Sequence, residues 1–205
     1  TEVQLIKADA VQTADIANSA VTDAKIAGLT SSKLTGALPA ISGAALTNLP
    51  ASGITEADQW RVTSNFDSSG TTITSNWARH SLYGAGQLGT GMSESSGIFT
   101  FPSTGIYKID FLVVAYRISA SNVRFVNQYI MATTDNSNYN EAAYASGSIS
   151  NDAEAFTCGY CSHLFDVTNV STHKVKFFVQ AEQELRWYGY PNNSVTAIFT
   201  RLGDT

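Results

Sequence analysis

The stretch Phe99-Thr100-Phe101-Pro102-Ser103-Thr104-Gly105-Ile106-Tyr107-Lys108-Ile109-Asp110-Phe111-Leu112-Val113 decides the fold. Tyr107, Ile109, Phe111 and Val113 lie two apart, so in an extended chain they share one face. Gly105, just ahead of them, supplies the turn that feeds this strand. Val175, Phe177, Val179 and Ala181 repeat the pattern, and residues 195–202 read as a final strand. Further alternating runs cover residues 123–133, 141–150 and 155–167, separated by clusters of Gly, Asn, Asp and Ser. No stretch carries a helical stripe with caps. Strands at this spacing from Trp60 onward predict an all-β, two-sheet sandwich of the jelly-roll type.

Upstream of Trp60 the composition changes. Residues 1–59 hold no Phe, Tyr or Trp, the side chains that carry most of the buried area in a small core. What they hold instead is a rhythm. Ile6, Val11, Ile16, Val21 and Ile26 recur every fifth residue, and Ala10-Val11-Gln12-Thr13-Ala14-Asp15-Ile16-Ala17 is echoed by Ala20-Val21-Thr22-Asp23-Ala24-Lys25-Ile26-Ala27. Five residues of helix turn through about 500°, so these anchors form no stripe on a helix, and they violate the coiled-coil repeat too. One chain of short extended pieces would bury too little to offset a backbone entropy of ~1–2 kcal/mol per residue. Several chains sharing an axis would bury the anchors jointly, and a single-chain pentapeptide β-helix is the other solution. The expected division is a repetitive shaft over residues 1–55 and a head over 56–205.

The chain has 205 residues, 43% hydrophobic and only 14% charged, with a formal net charge of -5. Its 12 Lys and Arg form no cluster, so a nucleic-acid backbone is not the expected partner. The longest apolar run, Phe111 to Tyr116, is far short of the ~18 residues of a membrane span, so no membrane insertion is expected.

Two segments resemble known families. Lys33-Leu34-Thr35-Gly36-Ala37-Leu38-Pro39-Ala40-Ile41-Ser42-Gly43-Ala44-Ala45-Leu46-Thr47-Asn48-Leu49-Pro50 resembles the stalk-to-head junctions of bacteriophage fibre proteins, and the Ala-Val-x-x-Ala-Lys-Ile-Ala decads resemble fibre shafts. That resemblance implies a homotrimeric shaft with Ile6, Val11, Ile16, Val21 and Ile26 on its axis. The spacing Phe99-x5-Gly105-x-Tyr107-x-Ile109-x-Phe111 resembles the C1q/TNF-like signature, which has Phe where this chain has Ile109, and Phe199-Thr200-Arg201-Leu202 resembles that family's last strand. The upstream half of the signature has no match between Trp77 and Met92. What this second resemblance implies is a ten-stranded jelly roll packed as a trimer. Together they give the expected fold class: all-β, an extended trimeric β-rich shaft followed by a C1q/TNF-like jelly-roll head.

Several motifs imitate chemistry. Gly84-Ala85-Gly86-Gln87-Leu88-Gly89 fits GxGxxG but leads into more strand pattern instead of a helix N-terminus, so it reads as a flexible loop. Cys158-Gly159-Tyr160-Cys161 fits a redox CxxC, yet on a strand its two sulfurs point to opposite faces, and it reads as two buried, inert thiols. His80, His163 and His173 are scattered, one per region. Glu182 with Glu184, and Asp152 with Glu154, are paired carboxylates that could cleave a glycoside, but read as exposed acidic strand ends. The expectation is no enzyme, no cofactor and no metal.

In a C1q-like arrangement the last strand runs back toward the end where the chain enters. Counting strands backwards then assigns loops 117–122, 148–153 and 183–193 to the far tip, and loops 133–140 and 167–173 to the base. Arg186, Trp187, Tyr188, Tyr190, Asn192 and Asn193 in the last tip loop, with Asn151, Asp152 and Asn122 beside them, are residue types that stack on sugars or anchor a protein contact. The competing reading is that Trp187 and Tyr188 end a strand and pack inward. The expected function is attachment of a phage fibre to a host receptor or surface glycan. Its partners are two further copies, the host ligand, and other virion proteins at the N-terminal end, on the virion surface. The alternatives are a head fibre or capsid-decorating protein, a glycan depolymerase, and a secreted C1q-like ligand from a cellular organism, against which the scarcity of cysteine and the fibre-type shaft argue.

Overall fold

In the computed structural model the described residues are Ala17, 53–152, 154–189 and 194–205. The anchors Ile6, Val11, Ile16, Val21 and Ile26, and with them the shaft, lie outside the described residues. So do Tyr190, Asn192 and Asn193.

Eleven strands follow one another without a helix among the described residues: β1 (Ala57–Val62), β2 (Phe66–Thr72), β3 (Trp77–Arg79), β4 (Ser93–Ser95), β5 (Ile98–Thr100), β6 (Gly105–Arg117), β7 (Val126–Thr133), β8 (Asn140–Gly147), β9 (Phe156–Val167), β10 (Lys174–Trp187) and β11 (Thr196–Gly203). The expected all-β head is what the chain builds. One layer runs β3-β1-β11-β6-β9 and the other β2-β10-β7-β8, with β5 and β4 continuing from the start of β10. All pairings are antiparallel. At the end of β10, Leu185, Arg186 and Trp187 pair with Arg117, Tyr116 and Ala115 of β6, which joins the two layers.

The alternation read from the sequence sets the core. Tyr107, Ile109, Phe111 and Val113 of β6 and Val175, Phe177, Val179 and Ala181 of β10 all point between the layers and are buried. Phe99 is the hub: its ring lies 5.3 Å from Trp60, 5.2 Å from Trp77, 5.4 Å from Phe177 and 5.2 Å from Phe199, centroid to centroid. Edge-on aromatic packing of this kind contributes beyond the area it buries. Gly105 is needed where the sequence put a turn. Its φ is 143°, and a Cβ there would stand 2.5 Å from the Gly203 carbonyl oxygen.

A polar knot ties the start of the head to this core. Asp58 is buried and receives Arg79 Nε at 2.9 Å, Trp60 Nε1 at 2.8 Å and the Met92 amide at 2.8 Å. Every one of those donors is spent on one carboxylate, so the buried charge is compensated.

Candidate functional site

Four of the five loop assignments can be followed; of the fifth, 183–193, residues 183–187 continue β10 instead of forming a loop and 190–193 lie outside the described residues. Loops 133–140 and 167–173 meet at one end, where the Asn136 amide donates to the Thr172 carbonyl at 3.0 Å. The chain enters at that end as well, since Arg201 Nη1 reaches Thr55 Oγ1 and Arg201 Nε donates to the Thr104 carbonyl at 2.9 Å. At the other end one side chain organises the loops. Arg117 is 2% exposed, and its guanidinium donates to the carbonyls of Ser119 (2.8 Å), Ser121 (2.8 Å), Ser150 (3.1 Å) and Asp152 (3.3 Å). A single arginine thereby holds loops 117–122 and 148–153 together. The sequence did carry a signal for it. The inward row of β6 continues through Ala115 to residue 117, and an arginine on a core row must find acceptors.

At Arg117 lies an open cavity of about 520 Å³, lined also by Tyr116, residues 118–120, Asn151, Glu154 and Arg186. Arg186 donates Nε and Nη2 to the two carboxylate oxygens of Asp67, at 2.8 and 2.9 Å, which holds the Asp67 carboxyl below its usual range. The Tyr116 hydroxyl is pushed up, by burial first and the neighbouring Glu154 carboxylate second. Tyr116, which lines the cavity, packs in an aromatic triad with Phe156 and Tyr188, with centroids 4.8, 5.8 and 5.5 Å apart.

The predicted contact residues separate here. Arg186 and Asn151 line the cavity, Tyr188 is half-buried in the triad, and Asp152 and Asn122 are exposed on the tip loops. Trp187 is a correction. It is fully buried, stacked on Phe66 and donating its indole N–H to the Ser68 carbonyl at 3.0 Å, so it presents nothing to a ligand. Parity explains it, because residue 187 belongs to the inward row that begins at Val175. Gly189 follows where the chain passes so close to β1 that a Cβ would meet the Ser64 carbonyl oxygen at 2.5 Å.

The imitation motifs dissolve. Residues 84–89 form a loop between β3 and β4. Cys158 and Cys161 are free and lie on opposite faces of β9. Cys161 is buried, with its thiol pushed up to about 12 by burial, but Cys158 is exposed, which corrects the expectation of two buried thiols. Glu182 is tied to Arg124 through Nε at 2.7 Å. The three histidines stay apart, and among the described residues no group of His, Cys, Asp or Glu is arranged to hold a metal.

A second surface went unnoticed in the sequence. The outward row of β9 is exposed and apolar at Phe156 (58%), Tyr160 (51%) and Leu164 (61%), and Leu112 of β6 and Ile198 of β11 continue it. Tyr160 pairs with Leu112, and Leu112 with Thr196, so these residues form contiguous rungs. In their midst Lys108 Nζ donates to Asp110 Oδ2 at 2.8 Å, and the Tyr160 hydroxyl donates to Asp110 Oδ1. Burial acts to raise the Asp110 carboxyl, but the hydrogen bonds from Lys108, Tyr160 and Ser162 outweigh it and hold the group low.

The architecture defines a class, the TNF-like jelly roll. Among solved structures the chain is similar to Eiger TNF from S. frugiperda, at 10% identity and a TM-score of 0.57 over 75% of this chain and 95% of that one. It is also similar to murine APRIL at pH 5.0, at 14% identity and a TM-score of 0.55 over 72% of this chain and 98% of that one. At these identities the likeness is one of fold. No protein-family model and no curated protein matches the chain.

Proposed function

We propose that this chain is a homotrimeric bacteriophage fibre protein whose head attaches the virion to a host receptor or surface glycan, without catalysis. The observation that carries the reading is the exposed apolar row of Phe156, Tyr160, Leu164, Leu112 and Ile198 on a TNF-like jelly roll. A soluble antiparallel sheet normally keeps its second face polar, and a large contiguous apolar patch marks an interface. The occupant is a second copy of the same head, with a third closing the ring, as the C1q/TNF-like resemblance implies. The aromatic-free repeat over residues 1–55 is read as a trimeric shaft, with Ile6, Val11, Ile16, Val21 and Ile26 on the shaft's own axis, as the fibre resemblance implies. Its N-terminal end joins other virion proteins, and the head over residues 56–205 presents the tip loops outward. Three copies of a weak tip site raise attachment by ~10²–10⁴ over one.

Light scattering on the purified chain tests assembly: a mass of three times 21.9 kDa is expected, and a monomer would remove the interface. Competition tests attachment. Purified protein added to host cells is expected to block phage adsorption, and full adsorption at saturating protein would leave a structural role on the virion instead.

A further inference from the structure

The geometry points to the tip cavity beside Arg117 as a binding site for a neutral, hydroxyl-rich glycan. This rests on the attachment reading above and adds both the place and the ligand class. The cavity opens at the end of the head remote from chain entry, where a ligand on a surface would be met. Its size, about 520 Å³, is in the range of small-molecule sites. Its walls mix chemistry as a pyranose does: Tyr116 offers an aromatic ring with a hydroxyl, and the Glu154 carboxylate and Asn151 amide offer hydrogen bonds.

Charge decides between neutral and acidic sugars. Three charged side chains line the cavity: Arg117, Arg186 and Glu154. Arg117 is buried and gives its guanidinium hydrogens to four loop carbonyls. Arg186 is forked onto Asp67 through two hydrogen bonds. With Arg186 paired to Asp67, the charges left on the described lining are Arg117 and Glu154, one of each sign, so a carboxylate, sulfate or phosphate would add a negative charge that the lining does not balance. Hydroxyls face no such cost, since they donate to Glu154 and accept from Asn151. An apolar ligand is equally disfavoured, because it would strip water from Glu154 and the loop backbone.

The test is saturation-transfer NMR and titration of the full chain with neutral oligosaccharides (maltohexaose, chitohexaose, laminarihexaose and a neutral host-surface polysaccharide fragment) against oligogalacturonate as the acidic probe. Binding of a neutral probe is expected, weakened about tenfold or more by Glu154→Gln and by Asn151→Ala and unchanged by Ser137→Ala at the base. Tyr116→Phe separates the hydroxyl from the ring, and a several-fold loss is expected with the fold retained by circular dichroism. Preference for oligogalacturonate, binding of no neutral probe, or binding indifferent to Glu154→Gln and Asn151→Ala would each overturn the assignment. Light scattering on the same samples keeps the two readings apart. A trimer that blocks adsorption yet binds no neutral sugar sinks this inference alone, whereas a monomer whose cavity binds the sugar sinks the trimeric reading alone.

Discussion

The two outward faces of the head are built by the same rule and finished differently. On β10 the outward row reads Lys174, Lys176, Phe178, Gln180, Glu182, Glu184 and Arg186, charged or amide-bearing at nearly every step. Even its aromatic neighbour Tyr129 is held by polar partners, donating its hydroxyl to Gln180 Oε1 at 3.0 Å. On β9 the outward row reads Phe156, Cys158, Tyr160, Ser162, Leu164 and Asp166, and its large members are apolar and exposed. A sheet face needs water or a cover, and only the first of these faces is finished for water. The difference teaches that amphipathic alternation has two meanings in one molecule. On β10 it separates core from solvent; on β9 it leaves a second apolar row outside the core, for which the proposed trimer supplies the cover.

Substitutions at neighbouring positions of β6 break this comparison most sharply. Phe111 points inward and is fully buried, whereas Leu112 points outward and is 39% exposed. Phe111→Ala is expected to cost about 3–5 kcal/mol and to unfold the head, read by denaturant titration. Next in size, Leu164→Lys in the outward row of β9 is expected to leave circular dichroism unchanged while the light-scattering mass falls from three copies to one. A trimer that tolerates a lysine there would show that the apolar row is not the interface.

The inward half of this contrast was legible in the sequence and the outward half was not. Tyr107 through Val113 and Val175 through Ala181 announce themselves because their alternation is clean, with one apolar row each. β9 hides its meaning because apolar residues sit on both of its faces, Cys161, Phe165 and Val167 inward and Phe156, Tyr160 and Leu164 outward. Such a run has no dominant period, so it reads only as a strand. At the tip, counting antiparallel strands brought loops 117–122 and 148–153 together, but residues 183–187, read as loop, continue β10 because their inward parity carries on through Leu185 and Trp187. The inward parity of Trp187 was equally available, but an aromatic next to Arg186 and Tyr188 reads as a contact as easily as core. Arg117 and Asp58 escaped notice because their importance lies in partners distant in sequence, such as Arg117 with Ser150 and Asp58 with Met92.

The cysteines sharpen the comparison with a smaller effect. Cys158 is exposed on the outward face of β9 between Phe156 and Tyr160, and Cys161 is buried on the inward one. In the trimer both are expected to resist a thiol reagent. In Leu164→Lys, Cys158 is expected to label more than about tenfold faster, with Cys161 still silent because its thiol is pushed up to about 12. Equal labelling of Cys158 in both proteins would mean that nothing covers that face.

The smallest expected effect comes from the one ionic element set among those apolar side chains. Asp110 has its carboxyl held below the ordinary range, burial opposing and the hydrogen bonds from Lys108, Tyr160 and Ser162 prevailing. A carboxyl depressed in the folded state contributes stability above its unfolded value of about 3.9, and that contribution is lost as pH falls through the folded value. The acid limb of the stability curve should therefore be shallower in Asp110→Asn than in the parent below about pH 4, with the two curves parallel above it. Because the Lys108–Asp110 pair is open to solvent in a single head, its effect there is small and screened by salt. Closing a partner over it removes that screening. The difference between parent and Asp110→Asn should then be salt-insensitive in the trimer and salt-sensitive in monomeric Leu164→Lys. Matching salt dependence in both would place the pair in water in either state, and the apolar row around it would lose its claim to a cover.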